Sequence, residues 1–558
     1  MRRKAVYKHP GFEKLSNFYY RELLSRNPVT ATWLGEHSFD GLLPESGADS
    51  IERNLTFLKE MRDAFISLPE NELSIDEKLD REIAINFAQN QIFLDEDLQR
   101  WKMGRDVAMN IGDSLFLLFA RDYAPLHNRI EAIILRLKAV PMFLMSSKTL
   151  FQTVPALWGE IFIESLAQLP SFIDTILKSV ESEISPVLFR ELENAAMQAK
   201  KGIGEFRTWL THAVMPRAVH EWAMGESAFQ AFLKVKKLGL KSGEILDLAE
   251  KASQQAKIQL EVLSQAILGK TTGAASGSRS EALKRIKKHC PPNFDLALST
   301  YRDAISRCRE FVRRSEFATL PENEELQIVE TPDFMAHLIP FSAYIGPERK
   351  ADQQKGTYLL TRDKSGSSAI RYNYAEIANA ALHEGYPGHH LQLTGHNLHP
   401  GLLRIFADSL EIIEGWAHYC EDQFKEKGFY QSNEEAFAQA LDQLFNASRL
   451  KVDIKLQSRE WTFDQALHYL MQEVGIDRSS CEAEIRRYSQ NPASQLGYTL
   501  GKELLLDLKQ SLKNQFGRDF SDRSFHDLII YEGSIPIFMG QKYYPQMISE
   551  QTKKQDRT

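Results

Sequence analysis

"HEGYPGHH", residues 383–390, decides how the rest of the chain reads. A helix carrying His-Glu-x-x-His shows both imidazoles on one face, four residues apart, and can hold a zinc ion between them. Here the fourth residue after His383 is Pro387, which has no ligand atom, and His389 and His390 follow it. In an unbroken helix a residue six positions on is rotated about 240° away, and one seven on stands about 10 Å further along the axis. Neither reaches a metal held by His383 unless the helix bulges. Residues 385–388, Gly-Tyr-Pro-Gly, suit a bulge, because Pro387 lacks a backbone donor and Gly385 and Gly388 accept unusual dihedrals. His389 needs a two-residue bulge and His390 a three-residue one; the choice leans to His389 and leaves His390 open.

A catalytic zinc takes three protein ligands and keeps one position open. The third ligand is expected on a following helix, and "LEIIEGWAHYCEDQ", residues 410–423, supplies the candidate. Glu411, Glu414, His418 and Glu421 fall three, four and three apart, on one helical face. Glu414 is the expected ligand, with Glu411 or Glu421 accepting a hydrogen bond from a ligand histidine. Glu384, beside His383, is placed to act as general base on a water molecule. Tyr498, in "NPASQLGYTLG", is the candidate for steadying a developing oxyanion. Arg487, Tyr488 and His526 are weaker candidates. One zinc per chain is expected.

The rest of the chain reads mainly as helix. "FEKLSNFYYRELL", "SIERNLTFLKEMRDAFISL" and "IDEKLDREIAINFAQNQIFLDEDL" space apolar residues three and four apart. Strand signals lie just ahead of the motif, in "ELQIVETP" and "GTYLLTRD". The helix "YNYAEIANAALHEGY" then brings His383 and Glu384. The fold expected is therefore mainly α, a large helical body with a small β-sheet beside the zinc-bearing helix, whose edge strand can pair with an extended peptide. "GKTTGAASGSRS" is linker-like in composition. It divides a helical N-terminal region (1–268), walling a cleft, from a catalytic region (282–548), with 269–281 as linker or mobile loop and 549–558 as a frayed polar tail.

A net charge of −7, with no basic block, speaks against nucleic acid and anionic membrane as partners. The longest apolar stretches, such as "IEAIILRLKAVPMFLM", carry charges and a proline, so no membrane span is expected. The start, "MRRKAVYKHPGFEKL", does not read as a secretory signal. Four scattered cysteines without a Cys-x-x-Cys pair speak against a cysteine-ligated zinc and for a reducing compartment. The location expected is cytoplasmic.

"EGWAHYCE" resembles the glutamate-bearing segment of zinc aminopeptidases, and "HEGYPGHH" resembles their His-Glu-x-x-His helix with an insertion. A smaller insertion occurs in the dipeptidyl-peptidase III group. Over nearly its full length the chain resembles the bacterial domain-of-unknown-function 885 family, which is allied to the gluzincin metallopeptidases. The matching segments are "YYRELLSRNPVTATWLGEHSFDGLLPE", "ALHEGYPGHHLQ", "EGWAHYCE", "RRYSQNPASQLGYTLGKELL" and "SFHDLIIYEGSIP". His418 departs from the family pattern, where an apolar residue is expected, and "NPASQLGY" departs where glycine usually follows the proline. The resemblance implies a gluzincin-like zinc metallopeptidase with Glu414 as third ligand. The function expected is a zinc-dependent metallohydrolase cutting short peptides through a water activated by Glu384. Two alternatives stay open: a catalytically silent helical scaffold with a structural metal, and a hydrolase of non-peptide amides.

Overall fold

The computed structural model describes residues 7–105, 107–269, 278–331, 339, 342–362 and 372–555. It is mainly helical, with one small sheet. Among the described residues no helix is long and apolar enough to cross a membrane.

The chain forms two compact units. One is made of 6–222 with 348–351, the other of 223–347 with 352–558. In the first, the helices Val107–Ala120, Leu126–Ser147, Ala156–Val180 and Pro186–Trp209 enclose an apolar core that includes Ile111, Leu115, Ile133, Leu137, Phe162 and Leu192. Their ends are set locally: the Ser185 side chain accepts the Leu188 N–H ahead of a proline at the first helical position. Ser74 and Glu77 close a reciprocal capping box on the helix Ile75–Ile92.

The boundary differs from the one expected at 269. The helix Ser242–Leu268 belongs to the second unit, where Ala256, Leu260 and Ile267 pack with Phe437, Ala440 and Leu444 of the helix Asn433–Gln457. An amphipathic helix goes where its apolar stripe is covered, and a Gly/Ser-rich stretch says only that the chain is unconstrained there. Residues 270–277 of that stretch lie outside the described residues, and a helix, Ser278–Lys288, runs straight on from them. The polar stretch from 549 is not wholly frayed, because the last helix, Ile537–Gln555, continues through it.

The second unit carries the sheet. β1 (Glu324–Glu330) runs parallel to β3 (Gln354–Leu360), and β2 (Ser342–Ile345) pairs antiparallel on the other side of β3. The composition of β1 and β3 announces them. β2 is only four residues long and half-exposed throughout, and so leaves no alternating signature. The helix Phe294–Arg314 packs on the sheet, with the Arg302 guanidinium donating to the Ile328 carbonyl.

The helix Leu410–Glu426 lies unusually close to the helix Thr499–Phe516. A Cβ on Gly415 would stand 2.4 Å from the Gly501 carbonyl carbon, and one on Gly501 2.2 Å from the Glu411 carbonyl oxygen. Both glycines are needed for backbones to meet in this way. Gly501→Ala is therefore expected to force the helices apart and lower stability by about 1–3 kcal/mol, as overpacked cores do, measured by urea unfolding. A change below about 0.5 kcal/mol, the range of ordinary surface substitutions, would refute the close approach.

Candidate metal centre

The motif helix starts at Tyr374, where the Asn373 side chain accepts the Glu376 N–H, and stays α-helical to Ala380. It then widens into a π-helical turn, Ala381–Gly385, that carries His383 and Glu384. Tyr386 leaves the helix with extended dihedrals, and the Tyr386–Pro387 peptide is cis. A new helix, His389–Asn397, begins after Gly388. The Gly388 N–H donates to the Leu382 carbonyl at 3.2 Å. A Cβ there would stand 1.8 Å from the His383 carbonyl oxygen, so only glycine lets the returning chain lie over the turn that bears His383. The Trp416 indole N–H donates to the Pro387 carbonyl at 2.8 Å, fastening the interruption to the Leu410–Glu426 helix.

This path brings His383, His389 and Glu414 together. Glu414 Oε2 lies 3.8 Å from His383 Nε2 and 3.5 Å from His389 Nε2. One ligand atom from each of the three is within 4.8 Å of the others, and the two imidazoles meet edge to face at 4.7 Å. Ligand atoms around a tetrahedral zinc, at bond lengths of about 2.0–2.2 Å, are separated by about 3.3–3.6 Å. The two separations from Glu414 are that size or slightly larger, and the donors, two imidazoles and one carboxylate, are a zinc set.

Behind His383 stands Glu421. Its Oε1 is 2.8 Å from His383 Nδ1. With Nδ1 donating to that carboxylate, the Nε2 lone pair faces Glu414 and His389, as a ligand histidine requires. The same Oε1 lies 3.2 Å from His418 Nδ1, and the Asn446 amide donates to His418 Nε2 at 2.9 Å. His383, His418 and Glu421 are thus joined by direct hydrogen bonds. The departure from the family pattern at His418 has a role: the imidazole braces Glu421, and burial lowers its pKa, keeping it neutral.

The charges agree with a cation-binding site. Burial opposes the charged form of His383, but the Glu421 hydrogen bond and the carboxylates of Glu421, Glu384 and Glu414 lift it to about 9. Burial likewise opposes ionisation of Glu414 and Glu421. The hydrogen bond and charge of His389 outweigh it at Glu414, and His418 and His383 outweigh it at Glu421, holding both at about 2. Metal binding there must displace imidazole protons. Buried His389 Nδ1 has no hydrogen-bond partner among the described residues.

Two expected residues go elsewhere. His390 is fully buried, with the Glu324 carboxylate 2.9 Å from Nε2 and the Tyr344 hydroxyl 2.9 Å from Nδ1, so it ties the helix to the sheet and does not join the cluster. Restarting the helix at His389 turns the next residue about 100° away from it. Glu411 pairs with Lys236 at 2.8 Å and accepts from the Ser409 hydroxyl, so it holds no histidine. It shares a face with Glu421 but stands nearly three turns earlier.

Glu384 is half-buried, acts electrostatically on His383 and on the Tyr358 phenol of β3, and has no hydrogen-bond partner among the described residues. Tyr498 stands immediately before the helix Thr499–Phe516, its ring 5.7 Å from the His418 ring and 3.5 Å from the Arg449 guanidinium carbon. Burial raises the Tyr498 phenol; Arg449 and Arg487 pull it down, and the Glu414 carboxylate pushes it up. Tyr498 is therefore within electrostatic reach of Glu414. Tyr488 bonds Glu484, as does Arg487. His526 is buried between the Tyr419 hydroxyl and the Phe317 carbonyl, a core role. Asn446 and Arg449 were not expected; their signal is a polar stripe on a long buried helix, Asn433–Gln457.

The chain matches the family described as "Bacterial protein of unknown function (DUF885)" over residues 28–539, and it belongs to that family. No curated protein matches it. Solved structures that share its fold include two proposed lipoproteins. One is a proposed lipoprotein of unknown function from Shewanella oneidensis, with 21% identity, a TM-score of 0.79, and coverage of 96% of this chain and 99% of that one. The other is a proposed lipoprotein from Colwellia psychrerythraea, with 16% identity, a TM-score of 0.80, and coverage of 97% and 99%.

The contrast between two glutamates on one helix gives a test. Glu421→Gln is expected to weaken zinc binding about 10–100-fold, the usual effect of losing a carboxylate behind a ligand histidine. Glu411→Gln is expected to leave zinc affinity within error. Competition titration with a zinc chelator reads both, and equal effects would overturn the assignment.

Proposed function

We propose that the chain is a zinc-dependent metallohydrolase related to the gluzincins, and that its substrates are short peptides. The observation that carries this reading is the convergence of His383 Nε2, His389 Nε2 and Glu414 Oε2 beside Glu384, a carboxylate with no hydrogen-bond partner among the described residues. A purely structural metal needs no base next to its ligand, so the intact Glu384 favours an enzyme over a silent scaffold.

Zinc held by these three side chains would polarise a carbonyl and acidify a water molecule. The chain's own residues do the rest. Glu384 takes a proton at its carboxylate from the attacking water and delivers it to the leaving nitrogen. Glu421 keeps His383 in the tautomer and orientation that present Nε2. The Tyr498 phenol stays protonated, since burial raises its pKa, and donates to the oxyanion that develops at the carbonyl. The sheet order β1-β3-β2 leaves β1 and β2 at the edges, where an extended peptide can add as a further strand. The four cysteines are free thiols, in keeping with a reducing compartment, whereas the two neighbours' names as proposed lipoproteins count against a purely cytoplasmic location.

Metal analysis of zinc-reconstituted protein is expected to give about one zinc per chain. Folded protein that takes up none would remove the basis of the proposal.

Glu384→Gln keeps size and some hydrogen bonding but cannot accept a proton. It should retain zinc and fold while turnover of a peptide library falls by at least about 10²–10⁴-fold. Glu414→Gln should instead lose zinc. Near wild-type turnover by Glu384→Gln, or loss of zinc from it, would show that the roles of the two glutamates are assigned wrongly.

A further inference from the structure

One cation near the site has no counter-ion among the described residues. Arg449 is only 8% exposed. Its guanidinium carbon lies 3.5 Å from the centre of the Tyr498 ring and 4.9 Å from that of Phe445, and its Nε is buried without a hydrogen-bond partner. No carboxylate among the described residues pairs with it. The nearest one on its own helix, Asp453, receives the Gln495 N–H instead, and Arg487 on the other flank of Tyr498 is engaged by Glu484. The neighbouring cavity of about 300 Å³, lined by His418, Asn446 and Thr499, contains two ammonium groups, but both are partnered. Lys502 pairs with Asp422 at 2.8 Å, and Lys425 donates to Gln259 and Gln439.

Burying the Nε side of a guanidinium without an anion is costly, and ring stacking recovers only part of the cost. Its planar fork matches a carboxylate, two N–H groups to two oxygens. Ring contacts link it to the metal-facing residues: Tyr498 to His418 at 5.7 Å, and His418 to His383 at 4.8 Å. One to three residues of extended peptide span about 3–11 Å, and the direct path is no longer than that run of ring contacts.

We propose that Arg449 is the recognition point for the free C-terminal carboxylate of a short peptide, one to three residues beyond the bond that is cut. A chain terminus fits a nearly enclosed guanidinium better than a mid-chain acidic side chain, whose backbone would need two ways out. The inference deepens the peptidase reading and rests on it for the word substrate, but the carboxylate site itself does not depend on cleavage.

The test uses one hexapeptide in three forms: free acid, C-terminal amide, and an amide with glutamate as last residue. The wild-type chain is expected to prefer the acid over the plain amide about 10–100-fold in kcat/KM, mostly through KM, as befits a charge-assisted hydrogen-bonded pair. Arg449→Met is expected to abolish the preference, and Arg449→Lys, which keeps the charge and guards against misfolding of the first variant, to retain part of it. Indifference of the wild type to amidation overturns the proposal. So does equal loss by Arg449→Met on acid and amide, which marks a structural role, and so does equal use of the glutamate amide and the free acid, which moves the carboxylate to a side chain. The two readings fail separately. If no peptide is cleaved, calorimetric binding of the acid but not the amide to the full chain still supports the carboxylate site, and binding of neither ends it.

Discussion

The site hangs on one close approach, the Gly388 backbone against the carbonyl of His383. Without it the chain could not come back over the turn it has just left, and His389 would fall on the wrong side of the helix. Everything near it makes room or holds it in place. The helix widens over Ala381–Gly385, so the last turn before the break is already loosened. Trp416 fixes the Pro387 carbonyl from the neighbouring helix. That helix carries Glu414, so one indole hydrogen bond sets the distance between the two segments that face each other across the cluster. Gly415, next to both, lets a third helix press against the same element from behind.

The electrostatics follow from this crowding. Glu414 and Glu421 are brought into a buried pocket with His383, while Glu384 stands half-buried at its side. Ionised carboxylates in low dielectric repel one another unless cations or hydrogen-bond donors intervene. The imidazoles intervene at Glu414 and Glu421, which stay ionised down to about pH 2. Further back, burial and the Glu421 charge push Asp442 up to about 7, so one member of the carboxylate set gives way while the other keeps its charge. The Asn379 amide donates to Asp442 at 2.8 Å and holds it in place. The result is concentrated negative charge on the side where two imidazole nitrogens point, a surrounding that favours positive charge there, whether imidazole protons or a cation.

Much of this was legible in the sequence, for reasons that can be stated. Spacing in "LEIIEGWAHYCEDQ" fixes which residues of a helix share a face, and that is enough to set Glu411 and Glu421 beside Glu414 as alternatives. Glycines around a proline mark the place where a helix can break, and the chain leaves the helix there, between Gly385 and His389. Spacing cannot say what the far wall holds. His390 is equivalent to His389 in a list of residues, and only Glu324 and Tyr344, brought in by the sheet, decide between them. Glu411 has the right spacing, yet Lys236, remote in sequence, claims it. The expected boundary at 269 failed in the same way, because composition reports the freedom of a linker and not the partner of the helix before it.

The helix Asn433–Gln457 contributes no member of the His383, His389 and Glu414 cluster, yet it holds several of the residues that surround it. Asp442 reaches Asn379 on the motif helix, Asn446 reaches His418, Arg449 stacks on Tyr498, and Asp453 accepts the Gln495 N–H at the turn ahead of Tyr498. These four lie four, three and four residues apart, one stripe along a helix. A buried polar stripe is costly unless each group is matched, and a matched one fixes the register of whatever packs on it. Asp442, Asn446 and Asp453 each find a protein partner for at least one polar atom. Arg449 finds two aromatic faces and, among the described residues, no anion. In a stripe where the other polar residues fix a neighbour in place, Arg449 is the odd member, and that is why the proposed carboxylate site is centred on it.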